Sequence, residues 1–247
     1  MKKRRGRIGL VFGLMLGLIA PIAAQSASTI TINFGTGSVT WTTSDFGVNE
    51  GATSHPTYGA HGDAYDGAII LDVCADATCT PNSGTYNRYA GTGAYDSILQ
   101  TYTAPSSAVS GLTVTGQYRF SNTLVAGRLF ASFQNTTGAP INRIIRVYSD
   151  LGSDGSTSLK YTSSNQTISN QTMPVTSTSN YWSISSQDST QTTNTQTAAD
   201  PVATYVFGTP GASVTPTSML DNGYHYITYN LTVPANSTKA ILFVFGL

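Results

Sequence analysis

Three residues in the first third of the chain have the types and spacing to bind a metal ion. His61, Asp63 and Asp66 place one imidazole and two carboxylates within six residues. Oxygen ligands suit Ca²⁺, which takes about six to eight of them, and carboxylates at turn-like spacing can converge on one ion. The same residues also fit an ordinary turn that leads into the apolar run 68–71. The segment therefore predicts either a calcium site or a strand-entry turn.

A second candidate calcium loop begins at Asp150. Asp150, Asp154 and Gly155 match three positions of a calcium-binding loop. Gly152 stands where another oxygen ligand is expected, and Tyr161 stands where a bidentate Glu is needed. Two of the expected carboxylates are therefore missing. The alternative is a glycine-rich connection between the two strands of a hairpin.

Tyrosines in and beside a glycine-rich segment form a candidate ligand surface. Tyrosine offers a rigid flat face and a hydroxyl group, which suit a sugar ring or a protein partner. The segment therefore predicts a glycan or a surface protein as the partner, with structural cover over the core as the alternative. The candidate binding residues are Tyr58, Tyr65, Tyr86, Arg88, Tyr89 and Tyr95.

No residues are assigned to catalysis. The chain has no Gly-x-Ser-x-Gly nucleophile turn and no glycine-rich phosphate loop. Glycoside hydrolysis needs two carboxyl groups on either side of the bond, and sequence cannot show their separation. A carbohydrate-active enzyme on a sandwich scaffold therefore stays an alternative to a non-catalytic protein. The carboxylates that it could use are Glu50, Asp63, Asp66 and Asp96.

The N-terminus has the three parts of a secretory signal peptide. Five cationic residues within positions 2–7 precede an apolar run over 8–20, and small residues follow Pro21. The run is shorter than the ~20 residues that a spanning helix needs. We expect residues 1–24 to be a signal peptide and the mature chain to be secreted or held at the cell surface, without membrane insertion after cleavage.

The two cysteines, Cys74 and Cys79, both lie after the leader. In an oxidising compartment they can form a disulfide, which would staple a short loop. Their spacing is poor for a zinc or redox motif, and the chain has no second pair. We therefore predict a structural disulfide.

Composition excludes several classes of protein. Of 247 residues only 10% are charged, while 28 are serine and 37 are threonine. Such a chain is poor in the Glu and Lys that helical bundles use. The formal net charge is zero, and removal of the cationic leader leaves a net charge of −5. An acidic mature chain is not built to bind nucleic acid.

Alternation of apolar and polar residues is the main structural signal, and it predicts many short strands. It is cleanest over 112–120, and a turn at Asn122 predicts a hairpin with the next strand. His225 falls on the same strand face as the alternating apolar residues of 227–233. This predicts a hydrogen-bonded histidine at the edge of the core. Residues 240–245 are apolar on both parities, which predicts a strand buried on both faces.

The fold predicted from these strands is an all-β antiparallel sandwich. We expect one large sandwich over 25–247, with a split into two smaller Ig-like sandwiches near residue 135 as the alternative. The long polar stretch 163–200 is typical of loops or exposed edge strands.

Two short turn-like motifs in the second half of the chain resemble motifs of known proteins. Asn135-Thr136-Thr137-Gly138-Ala139-Pro140 and Val233-Pro234-Ala235 each stand between two strands. They resemble extracellular Ig-like and related β-sandwich modules of bacterial surface or secreted proteins. The resemblance implies a non-catalytic module for binding, adhesion or assembly. A calcium-stabilised adhesive subunit is a further alternative, and no other cofactor is expected.

Overall fold

The structure, a computed structural model, describes residues 28–34, 37–43, 48–55, 59–61, 65–74, 86–88, 93–151, 157–164, 168–169, 173–175, 181–186, 202–221 and 223–247. These residues form strands, turns and connecting segments, with no helix among them. No helix in this part of the chain is therefore long and apolar enough to cross a membrane. The predicted leader lies outside these ranges, so export stays a prediction.

Within these ranges the strands form two antiparallel sheets. The first sheet contains β1 (Ser28–Phe34), β2 (Gly37–Thr43), β3 (Val48–His55), β4 (Gly59–His61), β5 (Tyr65–Cys74), β6 (Tyr86–Arg88), β12 (Ile141–Leu151), β15 (Met173–Val175), β18 (Thr217–Asp221) and β19 (Tyr224–Val233). The second contains β7 (Ala94–Asp96), β8 (Thr101–Thr103), β9 (Ser107–Val109), β10 (Leu112–Phe120), β11 (Ala126–Asn135), β13 (Ser158–Thr162), β14 (Ile168–Ser169), β16 (Trp182–Ser186), β17 (Ala203–Val206) and β20 (Ser237–Gly246).

The first sheet runs in the order β1-β2-β3-β5-β12-β19-β18-β15, with β4 on β3 and β6 on β5. The second runs β14-β13-β16-β17-β20-β11-β10-β8-β7, with β9 on β10. Both sheets take strands from either side of residue 135. The short strands β14 and β15 lie at sheet edges, within the polar stretch for which edge strands were one of the predicted structures.

The hydrophobic core lies between the two sheets and contains residues of both. Side chains of β10 alternate between buried and half-exposed or exposed along the strand, as the sequence predicts. Trp41 of β2 packs across the core, with its ring centroid 5.5 Å from that of Phe120 and 5.5 Å from that of Phe245. The Tyr118 hydroxyl donates a hydrogen bond of 2.7 Å to the carbonyl oxygen of Ile69 in the other sheet. The predicted all-β antiparallel sandwich is confirmed.

The predicted hairpin around Asn122 is confirmed, because β10 and β11 pair in antiparallel register from residue 113 to 134. The hairpin predicted across Asp150 and Gly155 is wrong. Strand β12 pairs with β5 and β19 in the first sheet, whereas β13 pairs with β14 and β16 in the second. A glycine-rich connection therefore passes from one sheet to the other, and the sequence does not distinguish this from a hairpin.

The two motifs that resemble Ig-like modules are held together by one side chain. The buried Asn135 amide nitrogen donates to the carbonyl oxygens of Ala139, Val233 and Pro234 at 2.8, 3.0 and 3.1 Å. Its Oδ1 accepts the Thr137 N–H at 2.9 Å. These residues therefore form a clip between the β11–β12 and β19–β20 connections. Turn chemistry of this kind serves many sandwiches and does not identify a family.

Strand β20 is not buried on both faces, so that prediction is wrong. Phe243 and Phe245 face the core, whereas Leu242 is 49% exposed on the outer face. Its register partner on β11, Phe130, is also exposed. The apolar residues at both odd and even positions of this strand therefore belong to one face in the core and to a partly apolar outer face.

Gly127 of β11 stands where the core leaves no room for a side chain. A Cβ at this position would lie 2.5 Å from Cζ of Phe245, whereas a Cβ at Gly138 would have nothing within 4 Å. We expect Gly127→Ala to lower the free energy of unfolding by about 1–3 kcal/mol through overpacking. Gly138→Ala, the control, should change it by less than about 0.5 kcal/mol. Urea unfolding of both variants checks this, and equal stabilities would contradict the packing described.

Candidate functional site

A buried ion pair lies on the face of the first sheet that is turned away from the core. Asp72 of β5 and Arg146 of β12 are register partners. The Arg146 Nη2 and Nε atoms lie 2.8 and 3.2 Å from the Asp72 Oδ2 atom. Neither residue is more than 1% exposed. Because Ile145 and Val147 point into the core, strand alternation directs Arg146 to the opposite face.

Two tyrosines pack against this guanidinium group, and a third tyrosine packs against both of their rings. The Tyr148 ring centroid lies 5.6 Å from that of Tyr226 and 6.4 Å from that of Tyr224, and the Tyr224 and Tyr226 rings stack at 6.0 Å. The guanidinium carbon of Arg146 lies 5.1 Å from the Tyr226 centroid and 5.6 Å from the Tyr148 centroid, within cation–π range. We call Asp72, Arg146, Tyr148, Tyr224 and Tyr226 the polar–aromatic cluster.

The register of three neighbouring strands produces this cluster. Tyr148 of β12 is paired with Tyr226 of β19, and Asp221 of β18 is paired with Tyr224 of β19. Asp150 is paired with Tyr224 on the other side. Tyr148, Asp150, Tyr224 and Asp221 are half-buried, whereas Tyr226 is buried. The cluster therefore has a buried ionic base and a partly accessible rim of tyrosines and carboxylates.

Electrostatics keep the Tyr226 hydroxyl protonated. Burial raises its pKa above the ordinary value, the Arg146 charge opposes that shift, and the negative charge of Asp221 adds to it. Tyr226 can therefore donate a hydrogen bond at neutral pH, and the rim carboxylates can accept one.

His225 lies on the opposite, inward face of β19. It is buried, its Nε2 lies 3.0 Å from the Ser218 Oγ atom, and its ring lies 5.1 Å from the Tyr205 ring. Burial lowers the pKa of His225 to about 3, so the imidazole is neutral at pH 7. The predicted hydrogen-bonded histidine is confirmed, and it is a core residue.

The predicted calcium ligands are not brought together in the part of the chain that is described. His61 ends β4, where its backbone pairs with Thr53, and Asp66 lies in β5. Asp150 is half-buried at the rim of the cluster. Asp63 and Asp154 lie outside the described residues. No group of three or more His, Cys, Asp or Glu residues that could hold a metal is found within those ranges, and the calcium prediction stays a prediction.

The predicted tyrosine surface is not assembled by the residues that are described. Tyr65 is 1% exposed and lies in the core, with its ring 6.4 Å from that of Tyr205. Tyr95 of β7 is half-buried and packs against the core. The backbones of Tyr86 and Arg88 in β6 pair with Cys74 and Asp72. Tyr58 and Tyr89 lie outside the described residues.

The carboxylates proposed for glycoside hydrolysis are divided between the two sheets. Glu50 and Asp66 belong to the first sheet, whereas Asp96 belongs to the second. The Asp96 Oδ1 atom accepts the N–H groups of Ile98 and Leu99 at 2.8 and 3.0 Å, so this carboxylate holds a turn. Asp96 therefore does not pair with the carboxylates of the first sheet. Glu50 and Asp66 lie in the paired strands β3 and β5, and a catalytic role for them stays a prediction.

The predicted disulfide involves one described residue. Cys74 ends β5 and is fully buried. Cys79 lies outside the described residues, so their pairing stays a prediction.

The polar–aromatic cluster was missed at the sequence level, although a signal for it exists. Even-numbered positions of β12 hold Arg146, Tyr148 and Asp150, while its odd positions 145 and 147 are apolar. Tyr224 and Tyr226 of β19 alternate in the same way with core residues. A strand whose outward residues are aromatic and charged, beside a strand with outward tyrosines, favours a binding surface over a solvated face.

Comparison with solved structures gives likenesses in fold over most of the chain at low sequence identity. Slr1438 from Synechocystis sp. PCC 6803 has a TM-score of 0.52 at 8% identity, over 90% of this chain and 96% of that chain. A candidate aldose 1-epimerase from Escherichia coli K12 has a TM-score of 0.51 at 8% identity, over 90% and 99% of the two chains. One from Klebsiella pneumoniae has a TM-score of 0.53 at 9% identity, over 90% and 87%. No protein-family model and no curated protein sequence matches the chain.

These likenesses correct four expectations. The resemblance to Ig-like surface modules is wrong, because the fold that the chain shares is that of proteins described as aldose 1-epimerases. The non-catalytic adhesive or assembly role rested on that resemblance and is corrected with it, as is the adhesive calcium-stabilised subunit. The expectation that the chain is not an enzyme is also overturned, because these neighbours are described as sugar-converting enzymes. At this identity the comparison establishes a shared sandwich fold.

Proposed function

We propose that this chain is a carbohydrate-active enzyme that interconverts the anomers of an aldose on the outer face of its first sheet. This develops the alternative that the sequence left open, with different residues. The observation that carries it is the polar–aromatic cluster, which lies on a fold shared with candidate aldose 1-epimerases. The sequence predicts a glycan as the partner. The proposal specifies that the bound ligand is a single sugar ring.

The cluster has the chemistry that a sugar ring requires. The C–H face of a pyranose packs on aromatic rings, and its hydroxyl groups need well-oriented polar partners. Tyr148 and Tyr224 offer partly accessible rings, and Asp221 offers a half-buried carboxylate at the same rim. Asp72 and Arg146 form the buried base of the cluster and are assigned no contact with the sugar. They act as positioning residues, because the ion pair fixes the guanidinium group against which Tyr148 and Tyr226 pack.

Anomer interconversion needs one proton acceptor and one donor. A base takes the proton from the anomeric hydroxyl while a proton is delivered to the ring oxygen, and the C1–O5 bond breaks to give the open-chain aldehyde. Rotation about C1–C2 and reversal of both transfers close the ring in the other configuration, so no co-reactant is consumed. In this proposal Asp221 is the base, and the Tyr226 hydroxyl transfers its proton to the ring oxygen and takes it back when the ring closes.

The test is the rate at which the anomers of D-glucose, D-galactose and L-arabinose equilibrate, followed by polarimetry and NMR exchange. We expect the wild-type chain to accelerate at least one of them, and Asp221→Asn to lower kcat/KM by about 10²-fold or more. Tyr226→Phe should lower kcat/KM by about tenfold or more, because it removes the proton donor to the ring oxygen. Tyr161→Phe, an exposed tyrosine of the second sheet, is the matched control and should have no effect.

Two results would overturn the proposal. One is a folded wild-type chain that accelerates none of the three equilibrations. The other is an acceleration that Asp221→Asn and Tyr226→Phe leave unchanged, which would move the reaction away from this face. Asp72→Asn gives a further readout, because loss of a positioning residue should lower kcat while KM changes little.

A further inference from the structure

Two arginines stand directly opposite each other on the outer face of the second sheet. Arg119 of β10 is the register partner of Arg128 of β11. Arg119 is exposed and Arg128 is half-buried, while their neighbours along each strand are buried. Like charges directly opposite on a sheet destabilise it unless something lies between them. In the same line of register partners across the sheet, Arg128 pairs with Val244 on one side and Arg119 pairs with Thr101 on the other.

These arginines line a groove of about 420 Å³, which is within the ordinary size range of small-molecule sites. One wall is the turn 97–100, and the other is the turn of the β10–β11 hairpin at Ser121 and Asn122. Ile98, Leu99 and Val244 add apolar surface, and Ile98 is 90% exposed.

Hydrogen bonds fix both walls of the groove. The Phe120 N–H donates to the Gln100 carbonyl oxygen at 3.0 Å, which ties the first turn to the end of β10. The Ser121 Oγ atom accepts the N–H groups of Thr123 and Leu124 at 3.1 and 3.0 Å, which closes the second turn. The groove is therefore formed before any ligand arrives, which lowers the entropic cost of binding.

The protein itself does not neutralise the two guanidinium groups in the part that is described. No carboxylate there forms an ion pair with Arg119 or Arg128. Asp96 is the carboxylate at the end of the same line of register partners, two strands from Arg119, which is about 10 Å at the usual strand spacing. Its Oδ1 atom is already used by the N–H groups of the 97–100 turn.

We propose that the groove between the 97–100 turn and the β10–β11 hairpin binds a small organic oxyanion through Arg119 and Arg128. A planar guanidinium group donates two parallel hydrogen bonds to a carboxylate or phosphate, and an oxyanion between two such groups removes their repulsion. The apolar body of the ligand packs against Leu99 and Val244. This site lies on the other sheet from the proposed sugar site and does not depend on it.

The experiment is calorimetric titration with phenyl phosphate, benzoate and inorganic phosphate. We expect phenyl phosphate or benzoate to bind more tightly than inorganic phosphate, because only the first two carry an apolar body. Arg119→Gln and Arg128→Gln should each raise Kd about tenfold or more, as expected for a lost charge-assisted hydrogen bond. Lys239→Gln, an exposed cation outside the groove, should leave Kd unchanged. The tighter of the two organic anions identifies the anionic group.

Several outcomes would overturn the proposal. The absence of binding heat at millimolar ligand would overturn it. Binding that neither arginine substitution weakens would also overturn it. Sedimentation with phosphatidylglycerol vesicles, without affinity for the soluble anions, would replace the small ligand with a membrane surface. Thermal unfolding without ligand is the folding control, because both arginine variants should be at least as stable as the wild type once the repulsion is removed. Tyr226→Phe should not affect this binding.

Discussion

Arg146→Met is expected to be among the most destabilising single substitutions in this chain. It leaves the Asp72 carboxylate fully buried without its guanidinium partner, at a position that is 0% exposed. Removing one partner of a buried ion pair costs about 3–5 kcal/mol. For a chain of this size, that loss lowers Tm by about 6–20 °C. Urea and thermal unfolding measure both quantities.

A double variant separates the ion pair from simple loss of packing. Replacing both partners with apolar side chains removes the stranded charge, and such replacements are often neutral or stabilising. We therefore expect Asp72→Leu with Arg146→Met to recover most of the stability that Arg146→Met loses. Lys239→Met, at an exposed position of β20, controls for the chemical change. A loss below about 1 kcal/mol for Arg146→Met would contradict the burial of this pair.

The same pair shows why the candidate site could not be predicted from the sequence. Asp72 and Arg146 are 74 positions apart, and only the pairing of β5 with β12 makes them neighbours. Alternation gives the face on which each side chain lies, but it carries no information about which strands are adjacent. The sequence therefore shows that Arg146 and Tyr148 lie on the same outward face of their strand. It does not show which carboxylate pairs with Arg146.

Fold class was predictable because it depends on alternation, which is local. The pattern of β10 and the full extent of β19, Tyr224–Val233, follow from the apolar and polar parities alone. The connection after Asp150 was not predictable, because a glycine-rich segment can close a hairpin or cross between sheets. The family likewise could not be read from Asn135 and its clip, since these residues satisfy backbone groups at turns and carry no catalytic chemistry.

The charged and titratable groups of β5, β12, β18 and β19 discussed above lie in three different environments. The Asp72–Arg146 pair is buried but compensated, and the Tyr224–Asp221 rim is partly open to ligands. His225 is buried as a neutral group, with a serine and aromatic rings around it. Because the third environment excludes charge, protonation of His225 should destabilise the fold.

We expect the stability of this protein to fall steeply between pH 6.5 and pH 3 because of His225. In the unfolded chain this imidazole takes up a proton near its ordinary pKa of 6.5, whereas burial lowers the folded-state pKa to about 3. Between these values the unfolded state binds more protons, so lowering the pH favours unfolding. The contribution of His225 is complete above pH 6.5 and is lost as the pH falls toward 3. Two pH units into this window the loss is about 3 kcal/mol.

His225→Gln isolates this effect, because glutamine can keep a hydrogen bond to Ser218 but does not titrate in this range. Urea unfolding of wild type and variant at pH 7.0 and 4.5 gives two differences, and subtraction cancels the titrations that both chains share. The loss of stability on acidification should be smaller in the variant by about 3 kcal/mol. Parallel pH profiles would contradict the prediction. So would an NMR titration of the folded wild type in which His225 takes up its proton near pH 6.5, because a buried, desolvated imidazole cannot do so while the core around Tyr205 and Phe207 stays closed.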